Sequence, residues 1–160
     1  MTLAYVALGA NLGNPEVTVK AAIAALGGIR ESTRVAASSL YRTAPVGLKH
    51  QPDFINAVVA LETKLAPLAL LEELFAIESR FGRRRSVKNA PRTLDLDLLL
   101  HGDAVLATPT LILPHPRMHQ RAFVLAPLAE IAPLAVIPGH GGIAGLLTAC
   151  AGQSVERIAA

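Results

Sequence analysis

The chain has 160 residues, 52% of them apolar and 17% charged, which is too hydrophobic and too weakly charged for a disordered polymer and suits one domain with one core. A single cysteine, Cys150, excludes an internal disulfide framework, and no apolar run approaches the roughly 18 residues of a bilayer span, so the mean hydropathy of +0.44 is assigned to core-forming Ala, Leu and Val. With no charged leader before an apolar run the expectation is a cytoplasmic protein, and the net charge of +3 points to an anionic partner without choosing between nucleic acid, membrane surface and a phosphorylated small molecule.

The first predicted element is a strand over residues 3–8, ended by the turn formers Gly9, Ala10, Asn11, Gly13 and Asn14. Asn14 can cap a helix with Pro15 in its first turn, and Val19, Ala22, Ile23 and Leu26 recur at helical spacing until Gly27-Gly28. Residues 29–42 alternate loosely and predict one long second strand, with helix competing at 35–39. A loop through Pro52 and a strand over 54–63 follow. Pro67 opens the clearest helix, whose stripe of Leu70, Leu71, Leu74, Phe75, Ile77 and Phe81 runs to Gly82. A basic stretch to Arg92, a strand over 93–101, and a Pro-rich segment over 109–138 holding short pieces of strand and helix complete the pattern. The last 20 residues carry no clear signal. Strand, helix, strand, strand, helix, strand is the βαββαβ order of a ferredoxin-like α+β domain with an antiparallel sheet, here with extra C-terminal elements and one domain over residues 1–160.

Six of the 15 basic residues, Arg80, Arg83, Arg84, Arg85, Lys88 and Arg92, crowd between the second helix and the next strand. Arginine forks match phosphate oxygens, and a loop carrying several can close over a polyphosphate; a charge run alone is more simply a solvated loop. In the strand that follows, Asp95 and Asp97 are two residues apart and so share a face, with Leu94, Leu96 and Leu98 opposite. Paired carboxylates beside arginines either form salt bridges or hold magnesium that also binds phosphate. A second constellation is His115, Arg121 and Phe123, two phosphate donors and a flat apolar ring, against the plainer reading of a surface turn with Phe123 in the core. A zinc site at His115 and His119 lacks the other ligands. Phe54 and Asn56, on one strand face, offer a ring for stacking and an amide for a planar heterocycle, or else a core ring and a backbone partner.

These segments resemble the 6-hydroxymethyl-7,8-dihydropterin pyrophosphokinase family. The stretch from Pro91 through Asp95 and Asp97 to Leu100 is similar to its most diagnostic motif. Ala7-Leu8-Gly9-Ala10-Asn11-Leu12-Gly13, Ser39-Leu40-Tyr41-Arg42-Thr43-Ala44-Pro45, Asp53-Phe54-Ile55-Asn56-Ala57 and Pro114-His115-Pro116 through Phe123 follow in family order. The resemblance implies transfer of the pyrophosphoryl group of ATP to the pterin hydroxymethyl oxygen, leaving AMP. It implies that Asp95 and Asp97 hold two Mg²⁺ ions and that Arg83, Arg92, Asp95 and Asp97 are catalytic, with Arg83 and Arg85 on a mobile basic loop. Glu78, Arg85, Arg92, Leu98, His115 and Arg121 would bind ATP, and Thr43, Val46, Phe54, Asn56 and Phe123 the pterin. The chain departs from the family at Asn89-Ala90, where many members have Trp-Gly, and at Pro116, Thr110 and Ile112. The expected partners are the two small molecules, with no nucleic acid and no membrane, and the protein is expected as a monomer.

Two other classes compete with the enzyme. A single-strand RNA module would need exposed aromatics on central strands, and the acidic pair opposes it. A catalytically dead sensor of the same ancestry is opposed by the retained Arg92, Asp95, Asp97 and His115.

Overall fold

The computed structural model describes residues 1–45, 51–82 and 93–158. Its elements run β1 (Thr2–Ala10), α1 (Pro15–Leu26), β2 (Ser32–Ala37), β3 (Tyr41–Thr43), β4 (Phe54–Thr63), α2 (Pro67–Arg80) and β5 (Asp95–His101). After these come β6 (Leu106–Ala107), β7 (Ile112–Leu113), a 3₁₀ turn (Met118–Gln120), α3 (Ala122–Ile131), β8 (Val136–Ile137), β9 (Gly141–Gly142), α4 (Ile143–Ala149) and β10 (Glu156–Arg157). The main sheet is ordered β10-β3-β4-β1-β5, with β2 also paired to β4, and its pairings are antiparallel. Counting β2 and β3 as one interrupted strand, this is the ferredoxin-like α+β arrangement that the element order predicts.

The long second strand expected over residues 29–42 is instead two strands. At Ser38 the side chain takes over part of the ladder: its Oγ accepts the Val58 N–H at 2.9 Å while its own N–H donates to the Val58 carbonyl at 2.9 Å. Hydroxyl-for-carbonyl exchange of this kind redirects a strand, and the chain re-enters the sheet at Tyr41. The strand expected from residue 93 begins at Asp95. The last 20 residues are not featureless, since they supply α4 and a strand, β10, that pairs with β3.

Period-two alternation divides the sheet into two faces. Val6, Leu8, Leu61 and Leu96 on one face pack with Val19 and Leu26 of α1 and Leu70 and Leu74 of α2. Each buried leucine contributes about 1.5–3 kcal/mol relative to an exposed one. The other face is covered only in part, where Val58, Leu99 and Leu100 meet Leu125 and Leu128 of α3. A bulge between Tyr5 and Val6 skips Leu99 in the β1–β5 register, which lets the neighbours Leu99 and Leu100 join the same cluster. The uncovered part of this face is polar and lies at the end of the sheet where β4 and β5 begin.

Candidate active site

The strand register builds the floor of the site. Asn56 on β4 is opposite Gly9 on β1, and Gly9 is in turn opposite Asp95 on β5. The next row of the same face is Val58, Ala7 and Asp97. Two strand spacings separate Asn56 from Asp95, roughly 10 Å. Asp95 and Asp97 are half-buried between the buried Leu94, Leu96 and Leu98, so the expected sharing of a face is present. The Leu98 side chain belongs to the opposite, α1–α2 core.

Asn56 is buried, and its Nδ2 donates to Thr43 Oγ1 at 2.8 Å. That bond fixes which way the amide points and leaves Oδ1 as an acceptor. Gly9 gives it room: a Cβ at this position would be 3.2 Å from Asn56 Oδ1. Asn11 donates to the Gln51 side chain at 2.7 Å and to the Pro52 carbonyl at 3.1 Å, tying the turn after β1 to the approach of Phe54. The sequence marks Asn11 as a turn former within a family-like segment; nothing in its spacing shows the clamp.

His115 is attached to the edge of the sheet, its N–H donating to the Leu99 carbonyl at 2.9 Å. Its Nδ1 accepts the Arg117 N–H at 3.2 Å, which assigns the imidazole proton to Nε2. Burial first, and then the Arg121 guanidinium, lowers the imidazole to about 4, with Asp95 pulling the other way and Arg117 adding to the fall. His115 is therefore neutral at physiological pH, an N–H donor close to Asp95 and Arg121. The Arg121 guanidinium is 5.4 Å from the Phe123 ring centre, and Phe123, half-buried, leans on the α3 cluster. His119 stacks instead on His140, with ring centres 3.7 Å apart.

Glu78 stands at the end of α2. Its buried carboxylate lies on the α2 side and accepts the Leu96 N–H at 2.8 Å, fastening the end of α2 to the strand that carries the aspartates. Glu130, near the end of α3, accepts the Ser39 N–H at 3.0 Å and the Tyr41 hydroxyl at 2.7 Å, with Arg157 at 3.7 Å. Burial pulls the Glu130 carboxyl upward, but the bonds from Tyr41 and Ser39 and the Arg157 charge leave it below its ordinary value. The Tyr41 phenol is pushed up to about 12 by burial and by Glu130. Sequence reading singled out neither Glu130 nor this bracing. Val46, Arg83, Arg84, Arg85, Lys88 and Arg92 fall outside the described residues.

Among the described residues no group of three or more His, Cys, Asp and Glu side chains gathers as an all-protein metal cage. Two neighbouring carboxylates suit a hard cation that completes its shell with water and substrate oxygens, which is the habit of magnesium. The neutral imidazole, the guanidinium and the ring converge on the same end of the sheet. Fold and site together define a ferredoxin-like α+β domain with polar, charged and aromatic side chains gathered at the open end of one sheet face.

A family model for 7,8-dihydro-6-hydroxymethylpterin-pyrophosphokinase matches residues 5–133, and the chain belongs to that family. A Pseudomonas aeruginosa protein named 2-amino-4-hydroxy-6-hydroxymethyldihydropteridine pyrophosphokinase is 47% identical over 96% of this chain and 95% of its own. A Haemophilus influenzae protein of the same name is 41% identical over 99% of both chains. The crystal structure of Plasmodium falciparum HPPK-DHPS with pteroate shares the fold at a TM-score of 0.74 and 14% identity, covering 92% of this chain; this chain spans 42% of that longer one.

Proposed function

We infer that the chain transfers the pyrophosphoryl group of ATP to 6-hydroxymethyl-7,8-dihydropterin, giving AMP and the pterin diphosphate in folate biosynthesis. It is an ATP-dependent diphosphotransferase with ATP as co-substrate. Family membership supports the reaction. The observation that carries the division of labour is the register in which Asn56, Gly9 and Asp95 form one row of one face. It puts the Asn56 amide and the carboxylate pair two strands apart, with His115, Arg121 and Phe123 at the same end, which supports separate pterin and phosphate sides.

Asn56 reads the amide and amino edge of the pterin, with Thr43 holding its orientation, and Phe54 and Phe123 take the two faces of the ring. A wrong heterocycle would leave buried polar groups unpaired, at about 1–3 kcal/mol per group. On the phosphate side, His115 donates Nε2–H and Arg121 its fork to ATP oxygens. Asp95 and Asp97 would hold two Mg²⁺ ions, which supply charge neutralisation on the phosphates when bound. Arg83, Arg85 and Arg92 join the phosphate set, and Val46 the pterin set, on the strength of the resemblance alone. Glu78 serves by holding β5, and Leu98 by its backbone. In-line phosphoryl transfer depends on placement and charge more than on covalent help, so no side chain is assigned as nucleophile. The protein acts as a single monomeric domain over residues 1–160 in the cytoplasm, without nucleic-acid or membrane partners.

The test is AMP formation from ATP and the hydroxymethyl-dihydropterin with and without Mg²⁺. AMP that requires both pterin and magnesium is expected; folded protein that makes none removes the reading.

A further inference from the structure

The helix that carries Phe123 starts without a cap of its own. Arg121 occupies the N-cap position of α3, φ −118° and ψ 107°, and makes no side-chain cap bond. An arginine has only donors, so it cannot accept any of the N–H groups that a helix start leaves unpaired. Gln153, from the turn after α4, fills the gap: its Oε1 accepts the Ala122 N–H at 2.9 Å. The same amide donates through Nε2 to the Gln120 carbonyl at 2.8 Å. One side chain therefore grips the backbone immediately before and immediately after Arg121.

The turn that presents Gln153 is itself anchored. The Gln153 N–H donates to the Cys150 carbonyl at 2.9 Å, and Cys150 is buried in the α3 cluster. Gln153 is exposed, so its two bonds are exchanged against water and add little to global stability. Their effect is local and geometric: they set the peptide planes from which the Arg121 guanidinium and the Phe123 ring project, 5.4 Å apart. Gln153 also lies past residues 5–133 that the family model matches.

We propose that Gln153 is a positioning residue for the transfer reaction, holding Arg121 and Phe123 in common register so that one guanidinium meets phosphate while the adjacent ring meets the heterocycle. This rests on the roles given to Arg121 and Phe123 above. Small misplacements of substrate-binding groups are costly, and a uniform loss of binding raises KM more than it lowers kcat.

The experiment measures KM for each substrate, kcat and melting temperature. Gln153→Ala and Gln153→Leu remove both bonds, and each is expected to raise KM for both ATP and pterin by roughly 10-fold with kcat lowered less than about 3-fold. Gln153→Glu keeps the acceptor for Ala122 and loses the donor to Gln120, so the pterin KM should recover further than the ATP KM. Arg157→Ala, in the same C-terminal segment but at the opposite end of α3, should leave both KM values unchanged. Wild-type KM values in Gln153→Ala overturn the proposal, as does a large fall in melting temperature with KM unchanged. Arg121→Ala and Phe123→Ala separate the two levels of inference. If they raise KM and Gln153→Ala does not, the positioning role alone fails; if they too are silent, the site reading falls with it.

Discussion

The two faces of the sheet are made by the same strands and have different work. On the α1–α2 face, apolar residues of β1, β4 and β5 meet buried leucines of both helices. On the other face α3 covers only the far half, and at the uncovered end the alternate positions become Phe54, Asn56, Asp95 and Asp97. Because a β-strand sends successive side chains to opposite sides, Leu94, Leu96 and Leu98 stabilise the fold without constraining the chemistry of the aspartates between them. Core and candidate site are separated by one residue of register, and substitutions on the two faces should fail in different ways.

The largest expected effect is on the open face. Asp97→Ala should lower kcat by about 10³-fold or more with little change in melting temperature; near-wild-type turnover would refute the metal role. The converse is Leu74→Ala on the closed face, which should cost about 2–5 kcal/mol of unfolding free energy while the folded fraction keeps its kcat and KM, measured by denaturant titration alongside kinetics. Gly9→Ala sharpens the comparison with a single methyl. Directed 3.2 Å from Asn56 Oδ1, it should raise the pterin KM several-fold and leave ATP binding unaltered, and an equal loss of both affinities would deny that Gly9 acts by leaving room for the Asn56 amide.

The smallest effect is a pH dependence. In the folded chain His115 is lowered to about 4 from its ordinary 6.5, so between those values the unfolded chain binds the proton and the folded chain does not. Stability from this group is whole above 6.5 and declines as pH falls toward about 4. His115→Gln should flatten that part of the stability curve. The wild-type ATP KM should show no His115 inflection near 6.5.

Much of this was legible in the sequence where the relevant physics is local. The spacing of Asp95 and Asp97, the stripe of α2 and the βαββαβ order all follow from periodicity. What escaped depends on contacts across long stretches of chain. The break in the second strand comes from the Ser38 hydroxyl meeting Val58, 20 residues on. The bond from the Leu96 amide to the Glu78 carboxylate joins residues 18 apart in sequence. Glu130 and Gln153 act on partners 91 and 31 residues away, and neither sits in a pattern that periodicity or motif spacing detects. The C-terminal segment carries no clear signal because its elements are short, seven residues in α4 and two in β10, and because Gln153 acts through isolated polar bonds.

Glu78 has one more consequence. β5 is the last strand of the main sheet, and a bare border of this kind invites pairing with another polypeptide. Here the Leu96 amide is already taken by a buried carboxylate and the Leu99 carbonyl by His115. A foreign strand seeking to add itself alongside would have to displace both of these bonds, which guards the border that displays the aspartates against edge-to-edge pairing.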